Sequence, residues 1–326
     1  MVLALWLLLP AWAIPTQGQE LFRGSPDLAI TQVESIYVKG LNYLAKSQTE
    51  EGWWSDGPYG RQTGVVGLAI VSILAHGDDP NTGPYHENIH RGIDFILQRM
   101  LQDNGYIGRS MYNHGFATLA LAEAYGAVDR SDLGPALEKA VRLILNVQQR
   151  NPKGAWRYSP ESKDADTTVT GAQLVALFAA RNAGLAVPEE AFDKGIEFLL
   201  SCQTEKGGFG YTSAKSPNAP RTAIGCLILA LAKKKQSPQF KSAFAYLQIA
   251  PQQRNYLNYF RYYASQTFFH ASESSWQRWN ASNIRELKET QNEDGSWTGQ
   301  FGNTFATSAC LLSLALNYRF LPIYER

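Results

Sequence analysis

The stretch Gln203-Thr204-Glu205-Lys206-Gly207-Gly208-Phe209 sets the organisation of the chain, because versions of it recur along its length. The earliest is Gln48-Thr-Glu-Glu-Gly52-Trp53-Trp54, followed by a weaker Gln102-Asp-Asn-Gly105-Tyr106. Gln149-Arg-Asn-Pro-Lys-Gly154-Ala-Trp156 and Gln291-Asn-Glu-Asp-Gly295-Ser-Trp297 complete the set. The glycines at 52, 105, 154 and 207 step by roughly 50 residues, a period that marks a repeat architecture. The longer gap from 207 to 295 leaves room for a degenerate unit near Gln252–Phe260, so six units are expected.

Each unit reads as two helices. The helix before the glutamine is amphipathic, with Val33, Ile36, Tyr37, Leu41 and Leu44 on one face, or Leu137, Val141, Ile144 and Val147. The helix after the aromatic is apolar nearly all round, as in Gly64–Leu74, Ala223–Leu231 and Ala309–Ala315, and must be buried on every side. One half-wet and one fully buried helix per unit predict two concentric rings, an all-α (α/α)6 toroid. An open solenoid is the competing arrangement, and it would leave an apolar inner helix exposed at one end.

Composition narrows the partners. Lys and Arg number 30 against 29 Asp and Glu, so no nucleic-acid partner is implied. Aromatic residues make up 12% of the chain and cluster at loop ends and helix starts, where a cavity lining would lie. The start, Met1 through Ala13, has the apolar run and small-residue end of a secretory signal and is too short to span a bilayer. The expected organisation is therefore a signal peptide over 1–19, a toroid over 20–326, and an exported protein. Cys202, Cys226 and Cys310 fall inside apolar helical patterns and are expected to be buried free thiols.

With the repeats in place, the chain resembles the squalene cyclase and protein prenyltransferase β-subunit superfamily, whose repeats are known as QW motifs. The resemblance covers nearly all of the chain beyond the signal segment. The run Gly154-Ala-Trp-Arg-Tyr158, then Asp164-Ala-Asp166-Thr167-Thr168, then Leu174-Val-Ala-Leu177 resembles the central motif of class II terpene cyclases. That resemblance implies that Asp166 protonates an alkene or epoxide and that cavity aromatics hold the carbocation. The implied ligand is a polyprenyl or triterpene-type isoprenoid, with no cofactor and no metal. Class II enzymes carry two toroids and this chain has length for one, which leaves a partner toroid or a homo-oligomer open, along with membrane-surface association.

Matching the units by their inner-helix Ala-Leu or Ser-Leu pairs puts Tyr59, Ser110, Pro220, Asn258 and Asn303 where the third unit has Asp166, making it the one acid at this level of the ring. A general acid for so weak a base as an alkene must stay protonated, and the neighbouring Asp164 together with an apolar cavity would raise its pKa. Trp53, Tyr59, Tyr112, Phe116, Trp156, Tyr259, Tyr263, Trp297 and Phe305 are the candidate cavity rings, each contributing about 0.5–2 kcal/mol to a cation over its face. Thr167 and Thr168 stand beside the acid as substrate-binding candidates. Arg221 and Arg261 are candidate anion ligands. Against this stands a plain reading, in which Asp166 is a helix N-cap worth about 1 kcal/mol in an exported binding toroid or one that acts on carbohydrate.

Two further motifs carry less. The Asp-x-Cys pair of zinc-dependent prenyltransferases is absent, and so is the Cys-Gly-Glu-Gln run of thioester toroids. His86-Glu87-Asn88-Ile89-His90 matches the His-Glu-x-x-His pattern, yet its histidines fall at the solvent edge of an outer helix whose inward stripe is Ile89, Ile93, Ile96 and Met100.

Overall fold

A computed structural model describes residues 26–250 and 256–324. The expected signal segment lies outside these residues, as does much of the loop of the degenerate fifth unit. The described residues form twelve α-helices in six pairs. The outer members are α1 (Pro26–Ser47), α3 (His86–Leu97), α5 (Leu133–Arg150), α7 (Glu189–Ser201), α9 (Pro238–Ile249) and α11 (Glu273–Thr290). The inner members are α2 (Thr63–Leu74), α4 (Met111–Ala124), α6 (Thr167–Asn182), α8 (Ala219–Leu231), α10 (Leu257–Ala271) and α12 (Asn303–Ala315). Each inner helix packs on the next, and α12 packs back on α2, so the inner ring is closed and the fold is the (α/α)6 toroid. Every residue of α2 is buried, as its all-round apolarity requires.

The recurring motif is the joint between units. The side-chain amide of Gln203 donates to the Gly207 carbonyl in its own loop and to the Gln239 carbonyl of α9. Gln48 does the same with Gly52 and Asn88 of α3, and Gln291 with Gly295 and Ile36 of α1. In the third unit the bridging residue is Gln148, bonding Gly154 and Ala191, and not its neighbour Gln149. In the second unit the places of the glutamine and aromatic fall to Met100 and Ile107, which pair as Gln203 and Phe209 do. Gln102 and Tyr106 lie beside that joint and not in it.

The glycine is required because the loop turns against the next outer helix. Gly207 has φ +93°, and a Cβ there would stand 2.2 Å from the Ser242 carbonyl oxygen on α9. Gly295, at φ +91°, meets the Lys39 carbonyl of α1 at the same 2.2 Å. The last unit thus clasps the first as any unit clasps its successor. Since Gln148 is buried, Gln148→Leu should strip the Gly154 carbonyl of this donor, remove the second bond to the Ala191 carbonyl, and cost about 2 kcal/mol in a urea titration. An unchanged midpoint would deny the amide this part.

The chain end closes the ring from below. Beyond α12 it runs to a short 3-10 turn, Pro322–Tyr324, which packs on α6 with Ile323 and Tyr324 buried. Asn182 Nδ2 at the end of α6 donates to the Pro322 carbonyl. The opposite end, where the inner helices begin, is the open one. The three cysteines are buried free thiols, and among the described residues no helix is long and apolar enough to cross a membrane.

Candidate functional site

The N-termini of the six inner helices converge on a cavity of about 700 Å³. Its wall takes residues from the first turns of all six. Val65 and Leu68 come from α2, Tyr112 and Phe116 from α4, Thr168 from α6, Arg221 from α8, Tyr259 from α10 and Phe305 from α12. The connecting loops add Tyr59, Arg109, Tyr158, Tyr211 and Phe301, and Tyr256 stands at the head of α10. Tyr59, Tyr158 and Tyr256 remain 41–47% exposed and form an aromatic collar at the opening. Among the described residues the wall includes two guanidiniums and no carboxylate.

Asp166 sits one layer behind this wall. It is the N-cap of α6, wholly buried, with extended φ −138° and ψ 157°. Its Oδ1 accepts from the backbone N–H of Thr168 and Val169, at 2.8 and 2.9 Å, and from the Thr168 hydroxyl at 2.6 Å. Its Oδ2 is buried with no hydrogen-bond partner and lies 3.7 Å from Arg157 Nε. Burial raises the carboxyl above the ordinary aspartate value, against the Thr168 and Val169 bonds and the Arg157 cation that lower it. The cap and the chemically free oxygen are two atoms of one carboxylate, so capping and acid roles do not compete.

Asp164 does not supply the raising charge. Its side chain is 64% exposed, and Arg157 Nη1 lies 3.6 Å from its carboxylate, interposing a cation between the two acids. The Arg157 guanidinium is 5.1 Å from the centre of the Tyr211 ring and 5.9 Å from that of Tyr158. Those two hydroxyls lie 3.4 Å apart at the cavity wall. Thr168, Tyr158 and Tyr211 therefore separate the acid and its guanidinium from the cavity.

The alignment of units by sequence needs correction. The residues at the N-cap position are Gln62, Ser110, Asp166, Asn218, Tyr256 and Gly302, so only Ser110 was matched correctly. Nor is Asp166 the one acid at this level. Asp56, from the first loop, accepts from the Thr304 N–H and caps α12 on the opposite side of the ring.

Of the expected residues, Tyr59, Tyr112, Phe116, Thr168, Arg221, Tyr259 and Phe305 share the cavity wall. Tyr263 lies one turn deeper on α10, edge-on to Tyr259 at 5.1 Å. Burial holds the phenols of Tyr112, Tyr259 and Tyr263 neutral; they perturb one another electrostatically, yet the Tyr259 and Tyr263 hydroxyls have no partner of good geometry. The tryptophans lie elsewhere. Trp156 and Trp297 are buried in the joints, their indoles donating to Ile144 and Leu287 of the outer helices. Trp53 is half-buried under the Arg61 guanidinium. Thr167 bonds the carbonyls of Gly210 and Tyr211 in the next loop. Arg261 turns outward to Glu286 of α11 at 2.7 Å. Arg157, Tyr158, Tyr211 and Phe301 were not foreseen. A usable signal was present: Tyr158 and Tyr211 each follow a motif aromatic, Trp156 and Phe209, by two residues.

On α3, His86 Nδ1 bonds the Gly83 carbonyl at 2.8 Å. Among the described residues no group of three or more His, Cys, Asp or Glu side chains could hold a metal ion.

The profile of the squalene-hopene cyclase C-terminal domain matches residues 62–224, half of the chain, from α2 into α8. No curated protein matches. Among solved structures, the type II terpene cyclase MstE from Scytonema without ligand is similar at 16% identity and a TM-score of 0.62, over 90% of this chain and 99% of that one. A variant of it in complex with geranylgeranyl dihydroxybenzoate gives the same values. The α-1,6-mannanase GH76A of Salegentibacter sp. HEL1_6 is similar at 8% identity and a TM-score of 0.65, over 87% of this chain and 98% of that one. At these identities the likeness is one of fold.

Proposed function

The chain belongs to the family of the squalene-hopene cyclase C-terminal domain, and from that premise we propose that it binds an isoprenoid in the aromatic cavity and cyclises it by protonation, with Asp166 as the acid. The observation that carries this reading is the buried Oδ2 of Asp166, without a hydrogen-bond partner, behind the wall of a 700 Å³ aromatic cavity. The Asp166 carboxyl gives its proton to a terminal alkene or epoxide that reaches it past Thr168, Tyr158 and Tyr211 at the wall, and the electron pair of the alkene or epoxide forms the new bond to hydrogen. The resulting cation is attacked in turn by the next double bonds, and a final deprotonation returns the proton, so the reaction is an isomerisation. Tyr112, Phe116, Tyr259 and Phe305 offer ring faces to the cation, each worth about 0.5–2 kcal/mol. Water exclusion follows from the tail-closed base of the ring, which leaves the collar as the way in.

Arg157 and Asp164 fit the same reading as a pair that tunes and holds the acid from behind. The exposed collar of Tyr59, Tyr158 and Tyr256 suits entry from a membrane surface, where amphipathic rings settle. Export, expected from residues 1–19, belongs to the proposal as well. The fold alone would equally admit a carbohydrate. Hydrolysis of a glycosidic bond takes two carboxylates flanking it, whereas among the described residues Asp166 stands behind this wall with the Arg157 cation between it and the exposed Asp164.

Incubation with squalene, polyprenyl arenes and polyprenyl diphosphates tests the reading. A cyclised isomer is expected from at least one, and in D₂O it should carry one non-exchangeable deuterium at the site of protonation. Linear substrate recovered unchanged from the whole panel, with cleavage of a manno-oligosaccharide instead, would overturn it.

A further inference from the structure

Beside the main cavity lies a second depression of about 580 Å³, and the two share Gln62 and Arg109. Three guanidiniums, those of Arg61, Arg99 and Arg109, line it. None of the three lies within 4 Å of a carboxylate among the described residues, whereas Arg130, Arg157, Arg181 and Arg261 each do. Glu161, which flanks Arg109 on its far side, is engaged by the Ser159 hydroxyl. Arg99 is half-buried over the Phe95 ring at 3.4 Å, and Arg61 lies 4.9 Å from the centre of Trp53. Aromatic faces fix these two cations without neutralising them, and burial together with repulsion from Arg61 lowers the pKa of Arg99.

The same depression receives the N-terminus of α2, a helix of 12 residues whose N-cap, Gln62, gives no side-chain cap, although the Gly64 N–H is met by Asn113 Oδ1 at 3.1 Å. Thr63, its first residue, is 98% buried by the 2% exposure it retains, and its hydroxyl has no partner. At the matching position of α6, Thr167 spends its hydroxyl on the carbonyls of the next loop. In the first unit that loop passes with Gly108, whose Cβ, if present, would come within 2.5 Å of the Thr63 oxygen. The donor is left unspent under a cluster of uncompensated positive charge.

We propose that this depression is an oxyanion site for a multiply charged group of the phosphate or diphosphate type, held by Arg61, Arg99, Arg109 and the start of α2. Three uncompensated guanidiniums match a group of two or more negative charges better than a single carboxylate. Because Gln62 and Arg109 belong to both walls, an isoprenoid seated in the cavity can carry that group as its head. This second step rests on the isoprenoid reading; the binding of the anion does not.

Calorimetric titration with inorganic diphosphate, geranylgeranyl diphosphate and geranylgeraniol separates the two. Diphosphate should bind and weaken as salt rises. Each of Arg61→Gln, Arg99→Gln and Arg109→Gln should weaken it about tenfold, the worth of one charged hydrogen bond, with an unchanged melting temperature. Geranylgeranyl diphosphate should bind more tightly than either fragment and show the same loss in the variants, while geranylgeraniol binding stays as it was in Arg61→Gln and Arg99→Gln, whose residues lie outside the main cavity wall. Diphosphate affinity untouched by all three substitutions would overturn the site. Diphosphate bound normally, with geranylgeranyl diphosphate no tighter, would overturn its role as a head-group site and leave a site for free phosphate. Turnover enters none of these readouts, so a failure of the cyclase reading is told apart from a failure of this one.

Discussion

Asp166→Asn is expected to lower cyclisation by about a thousandfold or more, within the range and upper end of what a positioned general acid contributes, and to leave the fold as stable as before. Asparagine keeps an oxygen where Oδ1 now accepts the N–H groups of Thr168 and Val169, and it caps helices as well as aspartate does. What it lacks is the proton on the second atom, the one that has no hydrogen-bond partner and only the Arg157 cation nearby. Asp166→Ala should lose both, adding about 1 kcal/mol of instability to the same loss of rate. The comparison of the two variants separates cap from acid, and turnover in Asp166→Asn within tenfold of the parent would refute the assignment.

Arg157 gives this prediction a pH signature. The acid works protonated, so activity should fall as pH rises through its pKa, which burial has already moved upward. The Arg157 cation 3.7 Å away favours the carboxylate and holds that pKa down. Arg157→Met should therefore move the basic limb of the pH–rate profile to higher pH, whereas a merely structural arginine would change amplitude and leave the limb in place.

The second large effect concerns stability. Glu123 lies at the C-terminal end of α4, 6% exposed, beneath the closing tail, with Oε2 unpartnered. Burial pushes its carboxyl up to about 8, opposed by a bond from the Ile323 backbone, and the negative end of the helix acts in the same direction as burial. Between pH 4.5 and about 8 the unfolded chain has released this proton and the folded chain has kept it. Folding then takes up a proton, and raising the pH opposes folding. The contribution is intact below pH 4.5 and is lost by about pH 8, in all roughly 5 kcal/mol at about 1.4 kcal/mol per pH unit. Glu123→Gln should abolish this slope, so that parent and variant diverge in urea titrations between pH 5 and 8.5. His114, buried and held neutral at a pKa of about 4, acts below pH 6.5 in both proteins and cancels in the difference. Parallel curves for the two would show that Glu123 titrates normally.

Legibility differed between fold and site for a physical reason. A joint built on glutamine in four of the described units imprints a period, because each glutamine must reach a carbonyl four to six residues on and each glycine must pass a neighbouring helix backbone. That is why Gln203 and Gly207 disclosed the ring, and why the divergent second unit, with Met100 and Ile107, was misassigned, by two residues at Gln102 and by one at Tyr106. The tryptophans were read as cavity rings because an aromatic at a loop end looks the same whether it faces inward or packs under an outer helix; Trp156 and Trp297 do the latter. Arg261 was misjudged for the same cause, since α10 being an inner helix says nothing of which side an arginine leaves it.

By itself the sequence determined the closed ring of helix pairs and pointed to Asp166 at the head of its third inner helix, since repeat period, apolar periodicity and cap chemistry are properties of residues near one another in the chain. Only the tertiary structure decided that Arg157 stands between the two acids, that Asp56 of the first unit caps α12 of the last, and that Arg61, Arg99 and Arg109 meet with no carboxylate within 4 Å among the described residues. The first depends on how the long α5–α6 loop folds back on itself, and the other two on loops of different units being brought side by side, at distances set by packing of the whole ring, which no single stretch encodes.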